Sequence, residues 1–241
     1  MFAKPMSSAP PRHAAAPLRV VELFGLPGAG KTTLCNAIDQ APVDRTRRDL
    51  TQSWRRQGWR GRADVAMRSL RDVEWLAAVL SFALEKPLLE AESWRRLARL
   101  VAMKHRLRDH SGLVLLDQGV MQALWSIFYT EGKFDSQPSK VARLLRSFYA
   151  GVETRIIAIR VPEDIAARRV EGRTEGSSRL DTMPRETVLA QLGRTATLPD
   201  EILDAARLAG LDVEELDGRK SVAELAARMD AILSQLATPA R

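Results

Sequence analysis

The sequence predicts an α/β fold built on a parallel sheet. Short apolar, β-branched runs recur at residues 19–24, 113–117, 155–161 and 211–216, and segments with helical periodicity separate them. The first of these runs opens directly into a glycine-rich loop and then a helical pattern, the local order of a nucleotide-binding strand, turn and helix.

The chain begins with a tail. Met1 to Pro17 is rich in Ala, Pro and Ser and lacks the continuous apolar middle of a secretory signal, so residues 1–17 are read as disordered and residues 18–238 as the domain. With 241 residues, of which 45% are hydrophobic and 28% charged, one large globular domain is expected. The longest apolar stretch, Trp75 to Leu84, is too short to span a bilayer, so no membrane association is expected. Cys35 is the single cysteine, which excludes an intrachain disulfide and cysteine-rich zinc sites and favours a cytoplasmic protein.

Arg19-Val-Val-Glu-Leu-Phe24 reads as a buried strand. Gly25-Leu-Pro-Gly-Ala-Gly-Lys31-Thr32 then matches the G-x-x-x-x-G-K-[ST] pattern in full. Gly25, Gly28, Ala29 and Gly30 let the backbone curl so that its N–H groups point inward, at the positive end of the helix that follows. Lys31 then reaches the β and γ phosphates of a nucleoside triphosphate, the Thr32 hydroxyl is placed for Mg²⁺, and Thr33 adds a further small polar group. Leu34 and Ile38 lie four apart and share one helical face.

Pro42-Val43 is a weak seed for a second strand. From 47 to 110 the pattern turns helical, with Val73, Leu76, Leu80 and Leu84 three to four apart, and this segment is expected to form a helical insertion. Residues Arg45 to Arg62 carry seven arginines against Asp49 alone, with Trp54 and Trp59 between them. Given the net charge of +7, a nucleic-acid or phosphate-binding patch is one reading; a solvated arginine-rich face is the favoured one.

Leu113-Val-Leu-Leu-Asp117 is a strand that ends in an acid at the edge of the sheet where ligands bind, so Asp117 is the candidate to hold Mg²⁺ or to accept a proton; a helix cap is the competing role. Helices follow near Val120 and over Lys140 to Tyr149. Gln118, Gln122, Trp125 and Tyr129 either line a pocket or, in the case of the two aromatics, pack in the core. After the strand 155–161, Pro162 opens a helix with Glu163 and Asp164 in its first turn. Residues 171–183 read as a lid. Arg168, Arg169, Arg173 and Arg179 lie in or just before it, and phosphoryl transfer relies on such cations around the moving group. Asp164 and Arg168 are four apart and suited to a surface pair, so Arg173 and Arg179 are the preferred catalytic candidates. Helices over 184–209 close at Gly210, and Ser221 is placed to cap a final helix through Leu236.

The order of phosphate loop, strand ending in Asp117, Val161-Pro-Glu-Asp-Ile-Ala-Ala-Arg-Arg-Val-Glu-Gly-Arg173 and Ser178-Arg179-Leu-Asp181 resembles the thymidylate kinase-like group of nucleoside and nucleoside monophosphate kinases. The resemblance implies a three-layer P-loop NTPase fold with a five-stranded parallel sheet of order 2-3-1-4-5. It also implies ATP as phosphoryl donor and an adenine site near Asp217, Gly218 and Arg219. The chain departs from the group at Gln118-Gly119, where an arginine usually follows the aspartate, and at Pro27, where the thymidylate kinase loop usually has an acid.

Two functions from different classes are therefore open. One is a kinase that moves the γ-phosphoryl group of ATP to a small-molecule acceptor, a nucleoside or nucleotide first, as a monomer or homodimer. The other is a regulatory or assembly ATPase acting on a protein or nucleic acid. The absence of an Asn-Lys-x-Asp guanine signature and of a Leu-Ser-Gly-Gly-Gln signature argues against a GTPase or a transporter ATPase.

Overall fold

Alternation within the first strand decides how the molecule is layered. In β1 (Arg19–Phe24), Val20, Glu22 and Phe24 point to one side of the sheet and Val21 and Leu23 to the other, and all five are buried. A strand buried on both faces needs helices on both. A computed structural model, which describes residues 17–38, 46–49, 67–68, 71–85, 91–131, 137–172 and 183–237, shows that arrangement.

The remaining strands are β2 (Thr46–Asp49), β3 (Leu113–Gln118), β4 (Glu153–Arg160) and β5 (Asp212–Asp217). All pairings are parallel, in the order β2-β3-β1-β4-β5, with Val20 opposite Val114 and Thr154. On one face α1 (Lys31–Ile38) and α9 (Val222–Ala237) cover Val21, Leu23, Leu115 and Ile157 with Leu34, Ile38, Met229 and Leu233. The other face packs Val20, Phe24, Val114 and Ile156 against the larger helical layer. That layer comprises α2 (Val73–Glu85), α3 (Ala91–Leu107), α4 (Val120–Glu131), α5 (Pro138–Phe148), α6 (Glu163–Glu171), α7 (Arg185–Arg194) and α8 (Leu198–Leu208). Each fully buried Leu, Ile or Phe side chain contributes about 1.5–3 kcal/mol, so the two apolar layers fix the sheet between them.

Local signals set several boundaries. Gly210 takes φ +82° just after α8, and the Leu211 amide returns to the Ala206 carbonyl. Ser221 and Glu224 form a reciprocal cap at the start of α9, with Ser221 N to Glu224 Oε2 at 3.0 Å and Glu224 N to Ser221 Oγ at 3.3 Å.

One sequence expectation is corrected. Residues 47–49 belong to β2, not to a helical insertion starting at Arg47; a short edge strand draws its order from backbone pairing with β3 and needs no apolar alternation. The stripe Val73, Leu80, Leu84 is the outward side of α2, with Leu84 85% exposed, while Trp75, Ala78, Val79 and Phe82 are buried. Nearly every residue of this helix is apolar, so spacing alone does not select a face. Trp125 is buried and stacks on Tyr129 at 4.4 Å, the core role for that pair.

Candidate functional site

The turn after β1 is shaped for close approach. Gly28 takes φ +88°, and a Cβ there would lie 2.3 Å from the Ala166 carbonyl oxygen of α6. Ala166 and Ala167 are both fully buried, so α6 lies directly on the loop. Lys31 begins α1 and folds back, donating from Nζ to the carbonyl oxygens of Gly25 (2.7 Å) and Leu26 (3.1 Å). Ala29 N bonds to Leu26 O at 3.0 Å and Leu34 N to Gly30 O at 2.9 Å, so the curled loop runs straight into the helix N-terminus. The Lys31 ammonium thus sits within a curled loop that ends at the positive end of a helix.

Asp117 comes to this loop from the carboxyl end of β3. Thr32 Oγ1 lies 3.2 Å from Asp117 Oδ2 and 3.5 Å from Oδ1, and Asp117 is 6% exposed. One hydroxyl and one carboxylate side by side form a pair of hard oxygen donors. Among the described residues no group of three or more His, Cys, Asp or Glu side chains gathers to form an all-protein cation cage. A two-oxygen site suits Mg²⁺, which keeps waters and takes its other ligands from a polyphosphate.

Beneath this junction lies a residue that sequence reasoning passed over. Glu22 is fully buried and accepts hydrogen bonds from the backbone N–H of Met121 (2.7 Å) and Val120 (3.2 Å) and from the Tyr149 hydroxyl. Burial pushes its carboxyl up to about 7, against the pull of the hydrogen bonds from Tyr149 and the Met121, Gln122 and Val120 amides. Burial also raises the Tyr149 phenol well above its ordinary range, with the Glu22 charge and hydrogen bond adding to it. A Cβ at residue 119 would meet the Glu22 carboxyl at 2.3 Å, which explains Gly119 in the turn after Asp117. Gln118 is exposed. The signal for Glu22 was present in the period of two, which puts it between Val20 and Phe24 on an inward side.

The arginines of α6 divide cleanly. Arg168 pairs with Asp164 at 2.8 Å on the surface. Arg169 instead turns to the loop, donating to Gly218 O at 3.0 Å and more weakly to Ala29 O at 3.5 Å. Gly218 is itself held by Arg160 O (2.7 Å from Gly218 N), next to an Arg219 that chelates Asp217 and lowers that carboxyl to about 2. Arg173 and Arg179, like Trp54, Trp59, Pro42-Val43, the tail to residue 16 and lid residues 173–182, lie outside the described residues.

Beside the loop, between the carboxyl ends of β1 and β4, a cavity of about 210 Å³ has Phe24, Ala158 and Leu203 in its wall and Arg160, Glu163 and Asp200 among its polar groups. The helices after β1 and β4 lie on opposite faces, so this crevice is the switch point of the sheet.

With this geometry in place, the sequence profile of a family described as an AAA domain matches residues 20–198. The chain belongs to that family. No curated protein matches it. Among solved structures, this AAA domain is similar to deoxyadenosine kinase from M. mycoides with the products dCMP and a flexible dCDP bound. There the identity is 12%, the alignment covers 90% of this chain and 98% of that one, and the TM-score is 0.50. The same enzyme with bound dCTP aligns at 12% identity over 90% and 99% of the two chains, also with a TM-score of 0.50. Shikimate kinase from Bacteroides thetaiotaomicron aligns at 13% identity over 90% and 98%, with a TM-score of 0.49. At these identities the likeness is one of fold: the AAA domain has an α/β P-loop kinase-like architecture with a parallel sheet.

Proposed function

We propose that the protein is an ATP-dependent phosphotransferase that moves the γ-phosphoryl group to a small-molecule acceptor, a nucleoside or nucleotide being the first choice. The observation that carries this reading is the contact of Asp117 with Thr32 at the mouth of the phosphate loop. It supports a Mg²⁺·ATP site in which Gly25, Gly28, Ala29, Gly30 and Thr33 shape the phosphate cradle, and Thr32 and Asp117 hold the metal. The metal, when bound, neutralises charge that builds on the phosphoryl oxygens.

Lys31 is assigned to the β and γ phosphates, released from the Gly25 and Leu26 carbonyls when the stronger charge-assisted partner arrives. Asp117 is close enough to the phosphate site to take a proton from the acceptor as an alternative duty. Arg173 and Arg179 are assigned, from the sequence, to the charge that develops in transfer. The acceptor class rests on the motif order from the phosphate loop to Asp181.

The test incubates the protein with γ-labelled ATP, Mg²⁺ and a panel of nucleosides, nucleotides, sugars and antibiotics, with Lys31→Ala beside it. Label in a phosphate ester, lost in Lys31→Ala, is the expected result. Release of free phosphate alone across the panel would replace this reading by that of an ATPase acting on a protein or nucleic acid.

A further inference from the structure

We propose that Glu22 is a positioning residue for the proposed Mg²⁺ site: by capping α4 from beneath, it fixes the turn 117–119 so that the Asp117 carboxylate meets the Thr32 hydroxyl. The inference rests on the phosphotransferase reading.

The geometry of the cap is unusual in its origin. A helix N-terminus is ordinarily capped by its own preceding Ser, Thr, Asp or Asn. Here residue 119 is glycine, and the acceptor comes from β1, 98 residues away from Val120. Glu22 lies three residues before Gly25, where the phosphate loop begins, and Asp117 lies three residues before Val120. One carboxyl group therefore ties together the two chain segments whose ends form the Thr32–Asp117 pair. A local cap at residue 119 would satisfy the same amides without a buried acid, but the β1–β3 ladder, whose last pair is Glu22 with Leu116, would then be what ties β1 to the turn after β3. Gly119 has no room for such a side chain, because the Glu22 carboxyl occupies the place of its Cβ. Tyr149, which follows α5, adds a third donor and aims the carboxyl at the α4 amides.

Glutamine is the informative replacement. It keeps the shape but replaces one carboxyl oxygen by NH₂; Met121 N–H bonds to Oε1 and Val120 N–H to Oε2, so either placement sets the NH₂ against a helix amide, while the Tyr149 hydroxyl can turn to accept. The mismatch loosens the turn and leaves the phosphate loop in place.

The experiment measures, by calorimetry on the full chain, the affinity for the β,γ-methylene analogue of ATP with and without Mg²⁺. Wild type, Glu22→Gln, Tyr149→Phe, Asp117→Asn and the Glu22→Gln/Asp117→Asn double variant are compared, and amide exchange at Val120 and Met121 reports the cap directly. The expected result is that Glu22→Gln loses about tenfold of the Mg²⁺-dependent gain in affinity, as supporting groups of a metal site do. It should bind the metal-free analogue as wild type does, exchange faster at Val120 and Met121, and add nothing to the loss in the Asp117→Asn background. Tyr149→Phe shifts the gain in the same direction and serves where Glu22→Gln fails to fold. A Mg²⁺ gain that survives in both variants, or a loss equal with and without metal, overturns the positioning role while leaving the phosphotransferase reading intact. A wild-type chain that does not bind the analogue at all overturns both.

Discussion

The Arg169 guanidinium donates to the Gly218 carbonyl oxygen at 3.0 Å, joining α6 to the loop after β5 directly above the phosphate cradle. Its neighbour Arg168, by contrast, is engaged with Asp164 on an exposed helical surface. The two are adjacent in sequence and differ in every respect that matters for a nucleotide.

Arg169→Ala should therefore raise the KM for ATP about three- to tenfold, the loss of one charge-assisted contact and its ordering of the loop. Arg168→Ala should leave it unchanged, since an exposed i,i+4 pair is worth only about 0.3–0.5 kcal/mol. Steady-state kinetics against ATP at fixed acceptor separates the two, and equal effects would place both arginines outside the donor site.

Asp117→Asn tests the metal assignment. The amide is nearly isosteric with the carboxylate, so the fold and the contact with Thr32 survive, but the negative charge proposed to hold Mg²⁺ is lost. Turnover should fall by roughly two orders of magnitude or more, with partial recovery at high Mg²⁺. An unchanged Mg²⁺ dependence would remove Asp117 from the metal site.

Much of this site was legible in the chain, and the reasons are local. The phosphate loop is a contiguous pattern whose glycines answer to backbone geometry, so its curl could be anticipated from eight residues, although the Ala166 carbonyl that Gly28 meets could not. Asp117 was legible because a wholly apolar run ending in an acid leaves few options. Glu22 and Arg169 were not, because each acts across the fold: Glu22 caps a helix about a hundred residues later, and Arg169 reaches a carbonyl on another strand's loop. The inward side of α2 was illegible for a different reason. Val73 and Trp75 are both apolar, and only the packing of Trp75 edge-on to Phe148 at 5.7 Å decides which of them turns in.

Lys104 gives a stability prediction on the same helical layer. Its side chain is 2% exposed, pairs with Asp72 at 2.8 Å and lies 5.0 Å over the Trp75 ring. Burial lowers the ammonium's pKa despite that partner, while the Lys104 hydrogen bond and the Arg108 charge hold Asp72 below its ordinary range against its own partial burial. Desolvation thus dominates at Lys104 and attraction at Asp72. Asp72→Ala leaves a buried ammonium without its carboxylate and should cost about 3 kcal/mol, whereas Lys104→Met, which fills the same volume without charge and leaves Asp72 its Arg108 pair at 3.0 Å and the Trp75 N–H, should cost much less. Urea unfolding of the two variants measures the difference; equal losses would mean that the pair contributes packing alone.

Glu22 makes the folded chain sensitive to pH, and the sign follows from the direction of its shift. The carboxyl is raised to about 7 in the fold from an ordinary 4.5, so between those values the folded chain holds a proton that the unfolded chain has released. Its contribution to stability is then largest below pH 4.5 and is lost as pH rises through 7. At about 1.4 kcal/mol per pH unit the interval corresponds to roughly 3 kcal/mol. Glutamine at this position does not titrate. The margin by which wild type exceeds Glu22→Gln in urea midpoint should accordingly shrink between pH 5 and pH 8, while each protein also carries the common slope of its other groups. Tyr149 does not confuse the measurement, because burial keeps its phenol protonated throughout this window, its hydroxyl accepting from the Glu22 acid at low pH and donating to the carboxylate at high pH. A margin that stays constant or widens with pH would show that Glu22 is ionised in the fold at pH 5, and that the amides of Val120 and Met121 outweigh its burial.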